Sequence, residues 1–199
     1  MSLFNEAQKQ YERFLNHEPN DYEIKMRLAR LLFRMNLWEE SVQKYKELLQ
    51  TTPQDATSLI NCGLAIQNQY DTLKKDKKTN PADLKNLRQD GISYFEKAIQ
   101  TQAEMPKGLY LGLAKFYLDS ENFDPALAAA EKEWSVEKEL PLNAQNSEVL
   151  LTVAMAHEKL DHKEKALDFY MQLLKINPAA GNKIQSKIRI LKKQLNVKK

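Results

Sequence analysis

The stretch SEVLLTVAMAHEKLDHKEKALDFYMQLLKINPAA, residues 147–180, repeats a pattern met 125 positions earlier in YEIKMRLARLLFRMNLWEESVQKYKELLQTTPQD, residues 22–55. Leu28-Ala29, Leu32, Ser41, Tyr45, Leu48 and Pro53 recur as Val153-Ala154, His157, Ala166, Tyr170, Leu173 and Pro178, with every internal spacing kept. Small residues stand where two helices must touch, bulky ones follow at helical distance, and a proline closes each unit where a helix cannot continue.

Working outward, Ala7, Tyr11, Phe14 and Pro19 hold the spacing of Ser41, Tyr45, Leu48 and Pro53, so the chain opens on the second helix of a pair. Residues 1–20 are read as a half repeat and 22–55 as repeat one, with Asn36-Leu37-Trp38 as its turn. Leu59, Cys62, Gly63 and Ile66 open repeat two in phase, but its Gly91, Phe95 and Ala98 come 16 positions late. Repeat two therefore covers 56–105 and carries a 16-residue insertion around 73–90. Asn68 to Lys75 and Ala82 to Asp90 keep helical composition, which predicts two antiparallel helices turning at Asn80-Pro81, with Asp83 as the helix cap. Repeat three, 107–140, shows Tyr110, Leu113-Ala114, Tyr117, Ala126 and Ala130 but lacks its closing proline. Repeat four is 147–180, and 181–199 is read as a capping helix whose Ile184, Ile188, Leu191 and Leu195 form one apolar stripe.

This pattern resembles the tetratricopeptide repeat, whose signature sets a Leu-Gly-like pair, a Tyr, an Ala, a Phe and a Pro in that order. The resemblance implies an all-α fold, a single right-handed superhelical solenoid of antiparallel helix pairs. It also implies a non-enzymatic scaffold or adaptor that holds a protein or peptide partner in a concave groove lined by the first helices. The residues three before, one after and four after each small packing residue point into that groove. They are Met26, Arg30 and Phe33, then Ile60, Leu64 and Gln67, then Leu111, Lys115 and Leu118, then Leu151, Met155 and Glu158. Arg30 and Lys115 are available for carboxylates, and the aliphatic and Met side chains suit an apolar anchor.

Tetratricopeptide co-chaperones clamp a terminal carboxylate with Lys and Asn residues. In this chain Asn61 matches one Asn site, whereas Met26, Arg30, Gly108 and Gly112 depart from the other positions, so a chaperone-tail clamp is not expected. Asn61 is kept in the groove.

Composition agrees with a folded helical protein. Hydrophobic residues are 42% and charged residues 29% of the 199, and five glycines leave helices uninterrupted. No apolar run approaches the roughly 20 residues that span a bilayer, and no secretory signal is visible. The cytoplasm is the expected compartment, with an upstream anchor or signal left open. The net charge of +3 comes from two places. Residues 71–90 carry six cations and four acids and 181–199 carry seven cations and none, so the rest is slightly acidic. The second functional reading is a basic tether to nucleic acid or anionic membrane through the Lys74 to Arg88 segment and the C-terminal helix. Interleaved aspartates and the lack of stacking aromatics weigh against nucleic acid.

Catalytic, cofactor and metal sites are not expected. His157 and His162, five residues apart, would stand about 140° apart on one helix and could not share a metal. Cys62 falls at a packing position, where a thiol is inert. There is no glycine-rich phosphate loop and no cysteine pair.

Overall fold

A computed structural model describes residues 2–101 and 104–196; residue 1 of the expected half repeat, residues 102–103 of repeat two and residues 197–199 of the expected capping helix lie outside the described residues. Contacts divide the chain into two compact units, Met1–Met105 and Pro106–Lys199. The first contains α1 (Ser2–His17), α2 (Tyr22–Arg34), α3 (Trp38–Thr51), α4 (Ala56–Leu73) and α5 (Pro81–Gln100). The second contains α6 (Leu109–Asp119), α7 (Phe123–Glu137), α8 (Ser147–Lys159), α9 (Lys163–Ile176) and α10 (Gly181–Asn196). Short 3-10 turns at Leu142–Ala144 and Pro178–Ala180 complete it. Within each unit successive helices pack antiparallel, and no strand occurs among the described residues. The architecture is the all-α array of helix pairs that the repeat pattern implies.

The repeated residues form the contacts between the helices. Leu28, Ala29, Leu32, Ser41, Tyr45 and Leu48 are buried, as are Val153, Ala154, His157, Ala166, Tyr170 and Leu173. At the α2–α3 crossing the Ser41 hydroxyl donates to the Ala29 carbonyl at 3.0 Å, a bond that only a small residue allows at such close approach. At the α4–α5 crossing a Cβ on Gly63 would stand 2.6 Å from the ring of buried Phe95.

The turns of three pairs, α2–α3, α6–α7 and α8–α9, share one conformation. Asn36, Glu121 and Asp161 all have φ near +60°. In each case the next residue's N–H reaches back five positions: Leu37 to the Leu32 carbonyl, Asn122 to Tyr117 and His162 to His157, at 2.9–3.0 Å. This 6→1 bond satisfies a carbonyl that the helix end leaves unpaired and reverses the chain in two residues.

The insertion lengthens α4 and α5 rather than forming separate elements. The turn between them is ordered by Thr79 Oγ1 donating to the Leu73 carbonyl at 2.8 Å and by Asp76 accepting from the Lys78 N–H at 2.9 Å. The cap of α5 is Asn80, which accepts from the Ala82 N–H at 2.9 Å, and not Asp83. Pro81 sets the first helical φ, so the residue before it is extended and becomes the cap. Asp83 instead lies in the first turn, where a carboxylate favours the helix dipole.

Gly63→Ala gains about 1 kcal/mol of helix propensity but overpacks against Phe95, at a cost of about 1–3 kcal/mol. Lower stability in urea is expected, and a larger loss for Gly63→Leu.

Candidate functional site

The first helices of neighbouring pairs touch each other within each unit, α2 with α4 and α6 with α8. Residues three or four apart on a helix share a face, so Arg30 and Phe33 share a face of α2, and Ile60 and Asn61 each share one with Leu64 on α4. In the first unit α2 contributes Arg30 and Phe33, and α4 contributes Ile60, Asn61 and Leu64. Arg30 is exposed, and the other four are half-buried. Phe33 is held edge-on against Trp38, with ring centroids 4.9 Å apart. Among the described residues neither the Arg30 guanidinium nor the Asn61 amide has a hydrogen-bonding or ion-pair partner. The second unit contributes Lys115, Leu151 and Met155, all half-buried. Lys115 is already paired to Glu148, 3.0 Å away, and Leu151 and Met155 pack on the core that includes Ile184 and Leu191.

Two expected members of the row are not open. Met26 and Leu111 are buried. Met26 is the fifth residue of α2 and Leu111 the third of α6.

Glu158, at the end of the α8 row, belongs to an internal network. Lys187 from α10 donates to it at 2.6 Å and 2.8 Å, and the Tyr170 hydroxyl from α9 donates to it as well. Burial raises the pKa of Glu158, but the bonds from Lys187 and Tyr170 outweigh it, and the carboxyl lies below its ordinary value. α10 packs on α9, with Ile184 and Leu191 buried.

The two histidines meet, contrary to the helical estimate. α8 ends at Lys159, and the positive φ at Asp161 turns the chain back, which brings His162 Nδ1 within 3.2 Å of His157 Nδ1. His157 is buried and stacked on Phe169. Burial, with the charge of Lys165 and His162, lowers its pKa even though Glu131 opposes the shift, so the ring is neutral at pH 7. No cluster of three or more metal-ligating side chains occurs among the described residues. Cys62 is buried, and burial pushes its thiol up to about 12.

Glu133 and Glu137 were not singled out from sequence. Both are buried on α7, and they hold the starts of two helices. Glu133 accepts the Gly108 N–H at 2.6 Å and the Leu111 N–H at 3.3 Å, at the head of α6. Glu137 accepts the Asn146 N–H at 2.8 Å, at the head of α8, and lies 2.8 Å from the Lys107 ammonium in an ion pair rather than a directed hydrogen bond. The signal was legible: Glu133 occupies the position that Leu48, Ala98 and Leu173 fill in the other repeats, and a second glutamate follows one turn later.

No helix among the described residues is long and apolar enough to cross a membrane. Residues 147–179 match the sequence model of the tetratricopeptide repeat. The crystal structure of the MamA protein superposes with a TM-score of 0.68 at 17% identity, covering 89% of this chain and 84% of that one. YrrB, described as a TPR protein with an unusual peptide-binding site, gives 0.71 at 14% identity, with 94% and 84% covered. A thermophilic TPR protein of Thermus thermophilus gives 0.57 at 18% identity, with 94% and 90% covered. At these identities the likeness is one of fold. No match was found among curated proteins.

Glu133→Ala leaves two amide groups at the head of α6 without an acceptor and should cost about 1.5–3 kcal/mol in chemical unfolding, with Glu133→Gln losing less. Glu158 has its own signature in pH. Its pKa is depressed on folding, so its contribution is complete above the ordinary carboxyl value of 4.5 and is lost as pH falls through the folded value. Urea unfolding of Glu158→Gln should therefore be flatter than the parent over that acidic window and indifferent to pH above it.

Proposed function

We propose that this chain is a non-enzymatic protein–protein interaction scaffold, a reading supported by the match of residues 147–179 to the tetratricopeptide-repeat sequence model and by the likeness of fold to solved structures of that kind. It takes a peptide or helix of its partner on the faces formed by the first helices of the pairs. The observation that carries this reading is the first-unit strip of Phe33, Ile60 and Leu64, partly exposed and apolar, with the uncommitted Arg30 and Asn61 beside it. An apolar anchor on the strip would lose water-exposed surface, while Arg30 would donate to a carboxylate and Asn61 would pair with a backbone amide. Met26 and Leu111 support the faces from beneath. In the second unit Leu151 and Met155 offer apolar contact only, because Lys115 is already neutralised by Glu148.

The reading is tested with peptides selected on the folded protein from a random display library. Each apolar anchor contributes about 1.5–3 kcal/mol, so Leu64→Ser should weaken the selected peptides at least about tenfold without changing the circular dichroism spectrum. Arg30→Glu should weaken only acidic peptides. If Leu64→Ser and Arg30→Glu both bind like the parent, and reversing the charges of Lys74, Lys75, Lys77 and Lys78 abolishes binding, the α4–α5 extension is the site and this reading fails.

A further inference from the structure

The insertion that lengthens α4 builds a feature of the first unit. Counted from the small residue of each crossing, α2, α6 and α8 end five positions after Ala29, Ala114 and Ala154, at Arg34, Asp119 and Lys159. α4 ends ten positions after Gly63, at Leu73. Its extra residues run past the α2–α3 turn, and there Gln69, Thr72 and Leu73 form one wall of an open cavity of about 250 Å³. Leu37 and Trp38, from the turn and the head of α3, form the other. Both walls are fixed: Phe33 holds Trp38 edge-on, and the Leu73 carbonyl accepts the Thr79 hydroxyl at 2.8 Å. Leu37, Trp38 and Leu73 are each half-buried, so part of their apolar surface is open to a partner. Glu39 and Glu40 supply the only charges among the lining residues. Both are exposed, and among the described residues neither has a hydrogen-bonding or ion-pair partner. The next cation along the chain from Leu73, Lys74, lies over the Tyr70 ring at 5.5 Å and does not line the cavity.

We propose that this notch docks a basic segment of a protein partner. One large apolar side chain enters between Leu37, Trp38 and Leu73, while an arginine or lysine beside it meets Glu39 and Glu40. The volume falls below the roughly 300–1,000 Å³ of small-molecule sites, which suits a single anchoring side chain rather than a whole ligand. An apolar anchor in a pocket with charge at the rim is how interface hot spots are built. The two carboxylates attract a basic segment and repel an acidic one, so charge selects the partner. None of the lining residues belongs to the strip of Phe33, Ile60 and Leu64, so the notch stands whether or not that strip binds a peptide.

Nitrogen-15 NMR of the full chain tests this, with capped heptapeptides in which Leu or Phe stands between two arginines as the probe. The Trp38 indole N–H and the amides of Glu39, Glu40 and Leu73 should shift together, and the Trp134 indole should not. Replacing both arginines with glutamates should weaken binding about fivefold to tenfold, and replacing the central residue with glycine about tenfold. Thr72→Arg, at an exposed position, sets a rival cation at the rim and should abolish the shifts. The double variant Glu39→Gln, Glu40→Gln should bind the arginine peptides no better than their glutamate counterparts. Both variants are checked for parental circular dichroism. The proposal is overturned by an unshifted Trp38 at millimolar peptide, by equal binding of arginine and glutamate peptides to the parent, or by parental binding in either variant.

Discussion

Everything in each unit depends on how closely the two helices of a pair approach. Ala29 against Ser41 and Gly63 against Phe95 remove the side-chain bulk that would hold the backbones apart, and the Ser41 hydroxyl uses that closeness to bond across the crossing. Once the crossing is set, Arg30 and Phe33 on α2, Ile60 and Leu64 on α4, Lys115 on α6 and Leu151 and Met155 on α8 are left exposed or half-buried. The partly exposed faces of α2, α4, α6 and α8 are thus a by-product of packing on the other side of the same helices. Interiors are packed as densely as crystals, so a single added methyl at the crossing is felt along both helices.

The third repeat solves the same problem with charge. It lacks a closing proline, and a glutamate stands at the position where its equivalents are Leu or Ala. Such a group is tolerated in a core only when its oxygens are satisfied. Here Glu133 and Glu137 accept amides at the heads of α6 and α8, where the helix dipoles favour negative charge. α7 therefore fixes the starting points of two first helices, and through them the places of Leu111, Lys115, Leu151 and Met155. The scaffold and the candidate face are coupled at this point.

Charges that a linear reading offered to a partner divide into two groups. Lys115 and Glu158 are consumed within their own unit, by Glu148 and Lys187. Among the described residues Arg30 has no such partner. The histidines illustrate the same lesson at a turn. Angular reasoning on one continuous helix separates His157 from His162, but a left-handed residue at Asp161 ends that helix and brings the rings together.

The sequence by itself determined the helices, their pairing and the core, because a pattern of small, bulky and proline residues at constant spacing has one consistent way of being buried. Ala29, Phe95, Ala154 and Tyr170 could be assigned to the interior from spacing alone, and the lengthening of α4 and α5 from composition. What required the tertiary structure was everything set by neighbours distant in sequence. That Met26 and Leu111 are covered, that Lys115 is spent and Arg30 is not, and that Asn80 rather than Asp83 caps α5 all follow from local chain direction and from which side chains arrive from other helices. Periodicity specifies which face of a helix a residue occupies. Only packing decides whether that face remains accessible and whether its charges are already paired.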